Sequence, residues 1–333
     1  ESNTTAANNT AVGYSALTAN TTGGTNTALG AEALLRNTTG SDNTAVGVNP
    51  MTDNTTGTNN VAVGKRALKS NTTASSNTAV GYHSLEENTT GENNASLGAT
   101  SLTANTTGSS NTAIGMNALR DNTTASNNTA VGLNSLLVNT TGAANTAVGG
   151  SAMSANTTGG TNTAIGQSAL GSNTTASNNV AVGFNALGAN TTGGSNTAVG
   201  RLSLDACTSG GNNVALGDSA GGANTTGEKN TFLGKSAGAG VTTGGTNTLV
   251  GNSCADDLVS GNTNTIIGYN MSMSNTSSDA TIAIGSNIAA PTSNKVRIGV
   301  ANGLAELTLD GSDTSWAASS DSRLKKDIAD STV

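Results

Sequence analysis

His83 is the only histidine in the 333 residues, so no histidine-based triad and no multi-histidine metal site can be built within one chain. The two cysteines, Cys207 and Cys254, are too few for a disulfide framework or a four-ligand zinc site and read as structural thiols. Gly234-Lys235-Ser236 has the ending of a phosphate-binding loop, but Lys229 stands where that loop needs its first glycine. A glycosidase needs paired carboxylates across a cleft, and the acids here keep no fixed place in the chain's pattern. Tyr14, Tyr82, Phe184, Phe232, Tyr269 and Trp316 are scattered, with no grouped platform for sugars or bases. The many Asn-x-Thr triplets match glycosylation acceptors, yet they recur only because a larger unit recurs. Chemistry-bearing types are dense in one place, the stretch SSDSRLKKDI from Ser319 to Ile328, in a chain with only 10% charged residues.

Composition narrows the classes further. Aromatics are 2% of the chain and much of the 34% hydrophobic content is alanine, so the interior must be narrow. A formal charge of −7 argues against nucleic acid, which needs clustered Lys and Arg. No run of about 18 apolar residues exists, so membrane insertion is not expected. No cofactor or metal is expected either. The chain opens on Glu1 without a basic-then-apolar leader, which reads as a fragment or a processed product.

The elements that carry these residues follow one period. The glycine that closes each NTAVG-like stretch recurs at a constant spacing of 17, at Gly13, Gly30, Gly47 and onward to Gly285 without an insertion, which makes 17 coils. The consensus is N-T-A-V-G-x-x-A-L-x-x-N-T-T-G-x-x. Positions are counted below from this marker glycine. Asn, Thr and Gly are poor helix formers and no apolar stripe of helical spacing crosses a coil, so the expectation is an all-β fold, an elongated parallel β-solenoid of the β-roll or triple-β-helix kind. Each coil offers two extended pieces, around NTAVG and around the Ala-Leu pair, and stacked coils pair about 4.8 Å apart.

Position −1 is Val, Leu or Ile in all 17 coils, and it is expected to point inward. Position −4 is Asn in 16 of 17 coils, which suggests a ladder of amides bonded above and below. Position +7 is a second Asn row, unbroken from Asn20 to Asn190 and followed by Thr-Thr, and reads as a turn with left-handed backbone. Position +4 is Leu or Met from Leu17 to Leu204 and supplies a second apolar row, so that one row lines the coil and the other faces a partner chain. From Gly221 onward this row becomes small (Gly238, Ala255, Ser272, Ala289), which suggests that backbones approach and the solenoid narrows or rewinds from near residue 205.

After Gly285 the spacing breaks: the next similar glycine, Gly299, comes early, Pro291 interrupts the connection, and Asn302-Gly303 signals a hairpin. The Ser-Asp-x-Arg-Leu-Lys core that follows, within Ser319–Ile328, resembles the start of the self-cleaving intramolecular chaperone domain at the C-terminus of endosialidase-type phage tailspikes and tail fibres. The NTAVG coils likewise resemble phage fibre shafts and, more loosely, the β-roll heads of trimeric autotransporter adhesins. This resemblance implies a homotrimer, a scissile bond between Ser320 and Asp321, Ser320 as nucleophile and Lys325 as base, in a single-turnover cut rather than enzymatic turnover. The family domain continues well past the point where this chain stops, at Val333. The organisation expected is a repeat shaft over 1–289, a hairpin connector over 290–319 and the start of the chaperone segment over 320–333. The implied function is a phage tail-fibre shaft in the virion, extracellular, that presents a receptor-binding region to a host-surface glycan or protein. A trimeric adhesin head and an ice-binding solenoid are the alternatives.

Overall fold

The computed structural model describes residues 5–308 and the backbone of 317–318. Among these there is no helix, and the chain divides into two compact units, Glu1–Thr192 and Gly193–Val333. Each is a parallel β-solenoid. In the first, eleven three-residue strands run from Thr10–Val12 to Val180–Val182. Neighbours pair in parallel with each residue opposite its equivalent in the next coil, as in Thr27↔Thr44, Ala28↔Ala45 and Leu29↔Val46. Pairing does not stop at the strands. Leu34, Thr38 and Asn49 N–H groups bond Pro50, Thr55 and Ala31 carbonyls at 3.2, 2.9 and 2.9 Å, so the turns are stacked coil on coil as well.

The coil cross-section reverses one expectation. In the strand Thr27–Leu29 the central Ala28 is fully buried, whereas Leu29 is 47% exposed. The −1 residue therefore points outward, and Leu34 at +4 fills the interior beside Ala33 at +3. Two alanines, one leucine and the two asparagines make up the buried section of a typical coil. The wall opposite Ala28 has no room for a branched side chain once Leu34 is inside, so the smaller residue of the pair turns in.

A second expectation also changes. The Ala-Leu segment is a turn in the first unit, with Leu34, Leu68 and Leu119 at φ of 52°, 50° and 53°. A left-handed leucine costs about 1–2 kcal/mol, and full burial of its side chain returns about 1.5–3 kcal/mol, so burial holds the conformation. The NTT turn, assigned to left-handed backbone on its Asn, has no positive φ at Asn20 through Asn190; positions +2, +4 and +12 carry it instead. Marker glycines have their own requirement. A Cβ on Gly115 would lie 2.7 Å from the Gly132 carbonyl oxygen, at a φ of 129° that L-residues rarely adopt.

In the second unit, strands from Thr197–Val199 to Lys295–Val300 continue in parallel, and the last step is shorter than the rest, as in Ile282↔Val296. Lys295–Val300 then turns back at Ala301 and Asn302 to pair antiparallel with Gly303–Thr308. An extended second wall is present here, Ser272–Met273 against Ala289–Ala290. The small +4 residues do not leave a narrowed interior. Phe232, at −2 where the earlier coils have Ala except for Ser96, lies fully buried between Gly221 and Gly238, each of whose Cβ positions would come within 2.5 Å of its ring. Leu249 and Ile266 continue the exchange, with bulk moved from one wall to the other. Phe232→Ala is expected to lower stability by about 3–5 kcal/mol, and Gly221→Leu alone to destabilise by overpacking. The double variant, which recreates an Ala-and-Leu interior, should regain part of the loss. Urea midpoints of the four proteins check this, and strictly additive losses would contradict the volume exchange.

Candidate functional site

The outer face of the strands is the most continuous surface feature of each unit. Its −3 column is Thr in most coils of the first unit, with Val61, Ala95 and Val180 the exceptions, and its −1 column is Val, Leu or Ile throughout. Neither column contains a charged residue. Leu97 is 50% exposed, Ile114 39% and Ile165 42%, a row of aliphatics in water at one side chain per coil. The neighbouring +1 column adds exposed Tyr14, Val48, Tyr82, Met116, Leu133 and Phe184 along its margin. In the second unit Leu216, Leu233, Ile267, Ile284 and Ile298 are exposed in the same way.

The buried asparagines serve the framework. In the +7 row of the first unit each Nδ2–H donates to the Oδ1 of the equivalent Asn in the preceding coil, at 2.7–3.1 Å from Asn37 to Asn190. The amide-to-amide ladder expected of the −4 row is thus regular at +7; at −4 it is present in part, with Nδ2–H donating to the preceding Oδ1 at 3.0–3.2 Å from Asn60, Asn94, Asn111, Asn162, Asn213, Asn247 and Asn264. At −4 the bonding is chiefly to backbone: Asn26 Oδ1 accepts the Asn43 N–H at 3.0 Å, and Asn26 Nδ2–H donates to the Gly40 carbonyl at 2.9 Å. The Asn-Thr-Thr acceptor triplets begin on the fully buried asparagines of the +7 row, whose amides are engaged and out of reach of a glycosylating enzyme.

Charged side chains gather in one part of the first unit. Lys65 and Tyr82 hold the +1 position of two successive coils, Arg66 and His83 the +2 position. Arg66 Nη2 meets Glu86 Oε1 at 2.7 Å, and His83 Nδ1 bonds the other oxygen of the same, mostly buried, carboxylate. The Lys65 ammonium lies 5.9 Å from the Tyr82 ring centroid. The signal was present in sequence as GKRALKS followed one period later by GYHSLEE, but only stacking shows that the two segments are adjacent.

Ser320, Lys325 and the Ser320–Asp321 bond lie outside the described residues. The two thiols are placed. Cys207 takes an Asn position of the +7 row, its Sγ–H directed at Gly210 O at 3.4 Å, and Cys254 Sγ–H is 3.3 Å from Ile266 O. Both are free and fully buried. No group of three or more His, Cys, Asp or Glu that could hold a metal occurs among the described residues. Comparison with family models, with curated proteins and with solved structures finds no match for this chain.

Burial raises the Cys207 thiol to about 11 and the Cys254 thiol to about 12. Native protein at pH 8 should therefore resist alkylation, with two thiols labelled once guanidinium is added. Because the folded values lie above the unfolded value of about 8.5, the associated stability is fully present below that pH and is lost as pH rises towards 11. Mass spectrometry after iodoacetamide treatment checks the first outcome, and urea midpoints at pH 8 and pH 10.5 the second. Rapid native labelling of both cysteines would contradict their burial.

Proposed function

We propose that the chain is the shaft of a homotrimeric phage tail fibre, which holds a receptor-binding region away from the virion and is matured by a cut at Ser320–Asp321. One observation carries the association: the unbroken, charge-free aliphatic column on the outer strand face. A water-exposed row of this length is unusual for a monomer, and burying it against equivalent rows supplies the apolar area that the alanine-rich interior lacks. A rigid row with one aliphatic per coil is commensurate with another row of the same rise, which makes a second and third copy of this chain its natural partners. The trimer number and the phage assignment rest on the sequence resemblance at the repeats and at SSDSRLKKDI. The receptor is a host-surface glycan or protein.

The ice-binding alternative draws on a different column, the eleven exposed threonines at +9 from Thr22 to Thr192. A lattice needs a flat surface of more than one such row. The +12 neighbours on that side are a mixture that includes Asp42, Asn59 and Ser76, and the strand face is bordered by protruding Tyr14, Tyr82 and Phe184. The fibre reading is the better supported of the two.

Sedimentation of the chain should give a trimer, and Ile114→Glu with Ile165→Glu should shift it to monomer, because each substitution would bring three carboxylates together on an apolar surface. A monomeric unsubstituted chain, or thermal hysteresis from the purified protein, removes the fibre reading. The cut is tested separately, in a longer gene product that extends past Val333. Ser320→Ala and Lys325→Ala should each leave an uncleaved trimer on a gel, since an alcohol without a base attacks a peptide bond too slowly. Cleavage that persists in both, or a new C-terminus other than Ser320, defeats the assignment.

A further inference from the structure

A specific ligand cannot be read by rungs that are all alike; it needs a place where the repeat is broken by a unique set of side chains. In the first unit that place is the two-by-two group of Lys65, Arg66, Tyr82 and His83. The stretch 122–192 of this unit contains no charged side chain at all. Of its other basic side chains, Arg36 is paired with Asp53 at 2.6 Å and Arg120 with Asp121 at 2.7 Å. Lys65 and Lys69 have no ion pair among the described residues.

The group is also held in place. Glu86 is 8% exposed, and its carboxylate takes Arg66 from one coil and His83 from its own, so one buried anion fixes two donor groups. Thr103 Oγ1–H adds a bond to the His83 carbonyl at 3.0 Å. The His83 ring lies against Tyr82 with centroids 3.9 Å apart and planes at 46°, which braces the tyrosine while leaving it 52% exposed. The result is a braced aromatic ring with the Lys65 ammonium above it and, through Glu86, a held Arg66 guanidinium in the neighbouring coil. In the coils on either side, the same two positions are Val48 and Asn49, then Ala99 and Thr100, none of which bears a charge.

We propose that this group is a binding site for a carboxylated saccharide. The apolar face of a pyranose ring would lie on Tyr82, and its carboxylate would meet Lys65 and the free N–H groups of Arg66. The pairing suits the chemistry: an exposed aromatic ring with an unpaired ammonium above it, 5.9 Å from the centroid and able to swing to a carboxylate, selects a ligand with a flat apolar face and one negative charge, and the bracing of the ring lowers the ordering cost of binding. Glu86 is a positioning residue, and the exposed Glu87 beside it limits attraction of polyanions in general. The site is formed within one chain and does not depend on the fibre reading.

The test is isothermal titration of the full chain with a galacturonate tetrasaccharide, with maltotetraose as the neutral control and dextran sulfate as the polyanion control. Binding of the hexuronate and not of maltotetraose is expected, weakened about tenfold or more by Lys65→Ala and by Tyr82→Ala and largely retained in Lys65→Arg. Circular dichroism and sedimentation of each variant should match the unsubstituted chain, which separates loss of binding from loss of fold or assembly. No heat with the hexuronate overturns the proposal. So does equal affinity in Tyr82→Ala, or dextran sulfate binding that depends on Lys65 alone, since both would mean charge attraction without a saccharide site.

Discussion

Coil-on-coil stacking is the constraint on which the rest of this structure depends. Backbone donors in the strand and in the turns bond carbonyls of the neighbouring coil, as with Thr27 to Asn43 at 2.8 Å and Met51 to Ala67 at 3.0 Å. A coil that changed its path would lose bonds on its whole perimeter and leave buried polar groups unpaired. The marker glycines express the same constraint sterically: a Cβ on Gly30 would come within 1.7 Å of the Gly47 carbonyl oxygen. Neither an insertion nor a side chain fits there.

Given a fixed backbone path, only side-chain volume is left to adjust. Most coils fill the interior with one leucine held in a left-handed conformation, and the second unit reaches a comparable filling with Phe232 between two glycines. Hydroxyls at interior positions find partners: Ser135 and Ser203, single at +3, donate to the Gly132 and Gly200 carbonyls at 3.1 and 3.0 Å, and three others form a group. Ser84, Ser96 and Ser101 replace alanines in adjacent coils and bond one another, with Ser84 Oγ donating to Ser96 Oγ at 2.7 Å. A buried hydroxyl left without a partner would cost about 1–3 kcal/mol, and these bonds avoid most of it.

The same rigidity gives the surface its character. An outward residue at one position becomes a column, so a modest preference for Val, Leu or Ile at −1 becomes a continuous apolar row in each unit. Self-association and ligand recognition then call for opposite features. A uniform row suits a partner with the same rise, whereas recognition needs a local exception such as the group around Glu86, where side chains one period apart in sequence become neighbours.

The period, the parallel strands, the closing hairpin signal at Asn302-Gly303 and the narrow interior were legible from residues alone, because strict repetition forces equivalent residues into equivalent places. The identity of the buried row was not. Ala and Val alternate in the strand and both are apolar, so hydrophobicity ranks valine inward, and a sequence pattern has no means of weighing the volume on the opposite wall. That volume comes from a leucine whose left-handed backbone runs against its own preference, and only the stacked coils around it supply the burial that holds it there. The division of labour between the two asparagine rows was decided in the same way: both rows pair amide with amide, but the +7 row does so at every step of the first unit, while the −4 row makes its shorter bonds to backbone and adds longer amide contacts such as Asn60 to Asn43 at 3.2 Å.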